Sequence, residues 1–324
     1  ILLSEGGVTG AANGFRKEWH TTMNRPNLRF LGYVHLVSGS QAPYKSFKLQ
    51  TGTALSETGN NFEFCVGDYN RDGIPDLYAI KKHGTDTRKT EVHILNGANA
   101  YQSFSLQTGT GLHETGDNFE FCVADYNKDN IPDLYAIKKS GTGSKKTEIH
   151  ILDGANAYQR FLLHTSTGLH ETGSRFTFCV GDYNGDGTPD LYAIKKSGTS
   201  SKKTEVHILD GAGRYQEFAL QTATCLGETG SNFEFCTGDY NQDGKPDLYA
   251  VKKKDTETKK TEVHILNGAD KYKKFALQTG TCLETVGKNF TFCVADYNRN
   301  GNMDVYAVKK KATGTRKTEV HIFE

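Results

Sequence analysis

The sequence predicts an all-β protein: a six-bladed β-propeller of four-stranded antiparallel blades, with a degenerate first blade and an incomplete last one. Three observations lead there. Asp68, Asp125, Asp182, Asp239 and Asp296 open the same nine-residue loop at a constant spacing of 57 residues. Each unit carries four short runs with strand periodicity, and none has an apolar stripe long enough for a helix. A period of this length marks a propeller, solenoid or array, and four strands with their turns fill it.

Residues 176–221 serve as the type unit. Phe176-Thr177-Phe178-Cys179-Val180 alternates with period two and runs into the Asp loop. Leu191–Lys195 follows Pro189 as a second strand, and the turn Ser197–Lys203 leads to a third, Glu205–Leu209. Asp210-Gly211 turns the chain into a fourth run, Gln216–Gln221. Apolar residues on both strand faces suit blades that stack on neighbours from either side. Residues 1–324 read as a single domain, with 1–57 a degenerate blade and 58–324 five repeats. In the degenerate blade Tyr33–Val37 matches a third strand and Tyr44–Gln50 a fourth. Asn13–Arg25, with the only tryptophan, Trp19, keeps no Asp loop. The chain ends at Glu324 after a third strand, so the missing strand is expected from Ile1–Ser4, unless the last blade stays three-stranded.

The formal charge is +1, which gives no global field for nucleic acid or an anionic membrane. The five loops concentrate 14 Asp, so five divalent ions would carry the charge to +11. No apolar run reaches the length of a membrane span, and Ile1–Ser4 lacks the basic region of a signal peptide. The expectation is a soluble chain, cytoplasmic or secreted without a signal peptide. The sequon at Asn289 is expected to be unused, because Phe290 and Phe292 read as a buried strand face. Of seven cysteines, Cys65, Cys122, Cys179, Cys236 and Cys293 follow the repeat and read as buried free thiols. Cys225 and Cys282 occupy a position held elsewhere by Ala54, Gly111 and Gly168, a small slot.

The loops carry hard oxygen donors at the spacing calcium needs. The expected ligands are Asp68, Asn70, Asp72, Ile74 and Asp76 in the first loop, then Asp125, Asn127, Asp129, Ile131 and Asp133 in the second. The third offers Asp182, Asn184, Asp186, Thr188 and Asp190, and the fourth Asp239, Asn241, Asp243, Lys245 and Asp247. The fifth offers Asp296, Asn298, Asn300, Asn302 and Asp304 and, with only two carboxylates, the weakest site. Position seven contributes its main-chain carbonyl, whatever its side chain. No Glu stands at position 12 and no helices flank the loop, so this is not an EF-hand. About five structural Ca2+ ions are expected.

The D-x-N-x-D-G-x-P-D loop, with D-L-Y-A-I-K-K, T-E-V-H-I-L and F-x-L-Q-T-G-T, resembles the integrin-like FG-GAP repeats. More closely, the chain resembles the mushroom β-propeller lectins of the oyster-mushroom type, over roughly residues 33–324. The resemblance implies a calcium-containing, multivalent carbohydrate-binding lectin for galactose or N-acetylgalactosamine glycans, without catalysis. Glycans and glycoproteins are then the partners, with no nucleic acid, no membrane insertion, and a homo-oligomer left open.

Sugar contacts are expected from polar groups repeated within the strands. These are Tyr78, Lys82, Glu91 and His93, then Tyr135, Lys139, Glu148 and His150. The next units give Tyr192, Lys196, Glu205 and His207, then Tyr249, Lys253, Glu262 and His264. A Tyr or His ring can cover an apolar sugar face while Glu, Lys and His bond hydroxyls. The same residues serve equally as blade packing, and the lysines as a solvated rim. Rival readings are an integrin-like protein-binding scaffold and a propeller glycosidase or lyase. An enzyme is not expected, because almost every polar group recurs five times and no singular carboxylate pair stands out.

Overall fold

Strand alternation and turn chemistry produce five four-stranded antiparallel sheets across the described residues, 42–324, of the computed structural model. After β1 (Phe47–Ser56), the first blade comprises β2 (Phe62–Gly67), β3 (Asp76–Lys81), β4 (Lys89–Leu95) and β5 (Phe104–His113). The second comprises β6 (Phe119–Ala124), β7 (Asp133–Lys138), β8 (Lys146–Leu152) and β9 (Phe161–His170). The third comprises β10 (Phe176–Gly181), β11 (Asp190–Lys195), β12 (Lys203–Leu209) and β13 (Phe218–Gly227). The fourth comprises β14 (Phe233–Gly238), β15 (Asp247–Lys252), β16 (Lys260–Leu266) and β17 (Phe275–Glu284). The fifth joins β18 (Phe290–Ala295), β19 (Asp304–Lys309) and β20 (Lys317–Phe323) to β1.

The blade count corrects the expectation of six. The strand β1, read as the last strand of a degenerate first blade, pairs antiparallel with β20, from Phe47 opposite Phe323 to Ser56 opposite Lys317. The strand β1 and the incomplete last unit are therefore two parts of one blade. Pairing β1 with β20 covers an edge that would otherwise present unpaired amides and carbonyls. The expectations placed on Ile1–Ser4, Asn13–Arg25 and Tyr33–Val37 lie outside the described residues. Tyr44–Glu324 forms one unit of tertiary structure. Among the described residues no helix is long and apolar enough to cross a membrane.

The core sits between blades. Leu77, Tyr78, Ala79 and Ile80 of β3 are all fully buried, because both faces of the strand meet a neighbouring sheet. One cluster packs Ile80, Val92 and Ile94 of the first blade on Phe121, Leu134 and Leu152 of the second. Four further clusters repeat this around the ring, the last joining Val308, Val320 and Ile322 to Phe64, Leu77 and Leu95. The innermost strands close a second ring through their cysteines. The thiol of Cys65 lies 3.3 Å from the Phe121 carbonyl, and Cys122, Cys179 and Cys236 repeat the contact to Phe178, Phe235 and Phe292. Cys293 returns it to Phe64 at 3.4 Å, which completes the circle. All seven cysteines are free, where the sequence reading expects this of the five periodic ones and leaves a Cys225–Cys236 disulfide open.

Candidate functional site

The nine-residue loops connect the first and second strands of each blade on one rim. In the first loop Asp68 accepts the amides of Asp72 (3.1 Å) and Gly73 (2.7 Å). Asp72 accepts the Ile74 amide (2.8 Å) and the Asn70 side-chain amide (2.8 Å). Asp76, fully buried, accepts amides from Tyr69 (3.1 Å) and Gly97 (2.8 Å). Only glycine fits at position 97, since a Cβ there would stand 2.2 Å from the Pro75 carbonyl oxygen. The loops at Asp125, Asp182 and Asp239 repeat this network. In the fifth loop Asp304 Oδ1 is buried with no hydrogen-bond partner among the described residues.

Burial raises the carboxyls of Asp76, Asp133, Asp190 and Asp304 to about 6, against the amides that they accept. The hard-oxygen donor set and these uncompensated buried carboxyls suit a divalent cation. As folded here the carboxylates are turned onto loop amides. Among the described residues no three His, Cys, Asp or Glu side chains gather closely enough to hold a metal.

The residues expected to contact sugar are dispersed. Tyr78, Tyr135, Tyr192 and Tyr249 are fully buried between blades. Their hydroxyls meet those of Tyr158, Tyr215, Tyr272 and Tyr44 from the next blade at 3.2 to 3.5 Å. Glu91, Glu148, Glu205 and Glu262 accept hydroxyls of Thr87, Ser144, Ser201 and Thr258. His93, His207 and His264 face those glutamates at 3.5 to 3.6 Å. His150 instead meets His164 at 3.0 Å, and burial lowers its pKa to about 4. Only the lysines, the last member of each set, converge on something new.

Lys82, Lys139, Lys196, Lys253 and Lys310 follow the second strands. Lys139 pairs with Glu120, Lys196 lies within the fields of Glu120 and Glu234, and Lys82, Lys253 and Lys310 line the axial mouth on the opposite rim. The second residue of each inner strand arrives there too: Glu63, Glu120, Thr177, Glu234 and Thr291. A cavity of about 420 Å3 opens at this mouth, lined by Glu63, Glu234, Lys82, Lys253, Lys310 and their neighbours. Below it a narrower space of about 150 Å3 runs down the axis between the inner strands.

Each glutamate caps the next inner strand. Glu63 accepts the Phe121 amide (3.1 Å), Glu120 the Phe178 amide (2.9 Å) and Glu234 the Phe292 amide (2.8 Å). Glu120 also takes the Thr177 hydroxyl and pairs with Lys139 at 3.3 Å. Glu234 pairs with Lys253 at 2.7 Å. Lys82 turns instead to Asp117 at 3.2 Å, so among the described residues Glu63 has no ammonium in direct contact. Glu63 is half-buried at the mouth, and its carboxyl is pushed up to about 7 by burial and then by the charge of Glu120. The three glutamates escaped the sequence reading because it sought groups present in every repeat. The signal was a repeat position that reads Glu, Glu, Thr, Glu, Thr.

Residues 182–250 match the family model of the FG-GAP-like repeat. No curated protein matches the sequence. Among solved structures, the catalytic domain of an α-L-arabinofuranosidase of family GH62 from Coprinopsis cinerea aligns with a TM-score of 0.53 at 8% identity, covering 87% of this chain and 98% of that one. The GH43_1 enzyme from Xanthomonas citri, complexed with xylose, aligns at 0.50 with 12% identity, covering 85% and 89%. The β-xylosidase RS223 aligns at 0.49 with 12% identity, covering 85% and 94%. These matches support the repeat and the propeller, not the mushroom lectin. Two expectations are corrected accordingly, the multivalent galactose lectin and the absence of catalysis. The similar folds are those of glycosidases, and the tyrosines assigned to stacking on sugar are sealed between blades. The asymmetric carboxylates that seemed absent stand at the axial mouth.

Proposed function

We propose that this chain is a carbohydrate-active enzyme of the glycoside-hydrolase type, with its site at the axial mouth. One observation carries the proposal: Glu63, with its pKa raised to about 7, opens into the same cavity as Glu234, which is paired to Lys253. Two carboxyl groups with different roles, one a proton donor, are what glycoside cleavage requires. Glu63 donates its proton to the glycosidic oxygen as the bond to the anomeric carbon breaks, and the leaving group departs with that oxygen as its hydroxyl. Glu234 activates water or attacks the anomeric carbon itself, and the water's hydroxyl ends on the sugar. Glu120, already engaged by Thr177, Phe178 and Lys139, acts on Glu63 through its charge and is a positioning residue. The likeness in fold to an arabinofuranosidase and a GH43_1 enzyme supports the same reading.

Calcium belongs to the proposal as a structural ion of the five loops, held by the aspartates and asparagines at positions 1, 3, 5 and 9. Its charge offsets the buried carboxyls and pins the first-to-second strand connection.

A panel of 4-nitrophenyl glycosides, including α-L-arabinofuranoside and β-D-xyloside, tests the activity. The wild-type chain should release 4-nitrophenolate from at least one member, and Glu63→Gln should lower the rate about 100-fold or more. No turnover across the panel, or an unimpaired Glu63→Gln, would overturn the assignment.

A further inference from the structure

The lysine ring is complete but the glutamate ring is not. Five blades each carry the lysine, while only three carry the glutamate. The two exceptions are Thr177 in the third blade and Thr291 in the fifth. Lys82, Lys139 and Lys253 each have a carboxylate within 3.3 Å. Lys196 and Lys310, the lysines of the two threonine blades, have none among the described residues, and each is only partly exposed. Burial lowers both pKa values, against the pull of Glu120 on one and of Glu234 on both. These two blades flank the fourth, so the unpaired ammonium groups bracket the Lys253–Glu234 pair. An ammonium taken partly out of water without a counter-ion is costly unless something else supplies the charge.

We propose that the saccharide received at the axial mouth carries an anionic substituent, a carboxylate or a sulfate ester, held between Lys196 and Lys310. The threonines fit this role because they keep the mouth polar without adding a competing carboxylate. Lysine suits the task as a mobile point charge that does not demand a two-toothed partner. The anion would fix the sugar ring relative to Glu63 and Glu234, which lets remote binding position the scissile bond.

This inference rests on the axial mouth being the sugar site, and the test separates the two claims by measuring binding apart from turnover. Calorimetry of the whole chain would compare D-galacturonate, D-glucuronate and a sulfated monosaccharide with galactose and xylose, and with inorganic sulfate. The expected result is at least one anionic sugar bound about tenfold or more tighter than its neutral counterpart, a difference of about 1.4 kcal/mol. The double variant Lys196→Met/Lys310→Met should abolish that preference, while Glu63→Gln keeps it. The uronate and sulfate arms identify which anion is preferred. Equal affinity for neutral and anionic sugars, or a preference that survives the double variant, would overturn the proposal. Inorganic sulfate binding as tightly as the sugars would overturn it too, by reducing the site to one for free anions. Should the double variant melt early, Lys196→Gln and Lys310→Gln taken singly should each weaken the preference, and no weakening counts against it. Anionic sugar binding without any turnover would leave this inference standing and remove the hydrolase.

Discussion

The amide of Glu324 donates to the carbonyl of Ser46 at 3.3 Å, joining the described ends of the propeller unit. Within an uninterrupted blade the same bond runs from Asn96 to Ser103 at 2.9 Å. Tyr44 completes the likeness. Its hydroxyl donates to the Met303 carbonyl at 3.1 Å, as Tyr101 donates to Pro75 in the first blade. The fifth blade thus repeats the contacts of a continuous blade with strands from distant parts of the chain.

Closure of the ring should depend on β1. A chain beginning at Glu57 leaves the edge of β20 open and removes Tyr44, Phe47 and Leu49 from the last core. Its thermal midpoint should fall, and light scattering should detect concentration-dependent oligomers formed through the bare edge. A monomeric chain with an unchanged midpoint would refute closure by this strand.

The thiols should stay unreactive until the ring opens. Burial raises the pKa of Cys65, Cys122, Cys179 and Cys236 well above the usual thiol value. Cys225 and Cys282 are less enclosed and should react first with a chromogenic thiol reagent. Denaturation without reductant should expose all seven thiols. A smaller count would reveal a disulfide. Cys122→Ala should cost about 1 kcal/mol, for the lost contact and the void it leaves.

Acidity at Glu63 links activity and stability. The reaction needs its protonated form, so the rate should fall as pH rises through about 7. The stability sign follows from the same shift. The folded carboxyl holds its proton above the ordinary glutamate value of 4.5, so its contribution is fully present below that value and is lost as pH rises through about 7. Glu63→Gln, which cannot ionise, should therefore gain stability relative to wild type at pH 8 while losing activity. Denaturant melts of both proteins across this pH range check it, and parallel curves would remove the raised pKa.

Calcium should set the thermal midpoint. At calcium about 100-fold above its dissociation constant, stripping the ion with EDTA should lower the midpoint by roughly 5 °C or more. Elemental analysis should find about five ions per chain at saturation. The fifth loop should empty first, because Asn300 stands where the others carry aspartate, and Asn300→Asp should strengthen it. An EDTA-treated protein with an unchanged midpoint would reject a structural ion.

Much of the fold was legible because it is local. The alternation in Phe176–Val180, the turn at Asp210-Gly211 and the double-sided apolar run at Leu191–Ile194 each specify a strand or turn within a few residues. The site was less legible. Tyr78, Glu91 and His93 looked available for a ligand, yet neighbouring blades claim the tyrosine, and Thr87 and the Glu91–His93 pairing occupy the rest.

What the sequence determined by itself is the repeating unit: its period, its four strands, its acidic loop and its buried thiols, all set by side-chain alternation and turn residues. Only the tertiary structure decided that the ring has five blades, because that depends on Phe47–Ser56 pairing with Lys317–Phe323, a contact between distant chain segments. It also brought Glu63, Glu120 and Glu234 to one mouth. Residues 57 and 114 positions apart become neighbours only when rotation about a shared axis carries each inner strand to the same centre.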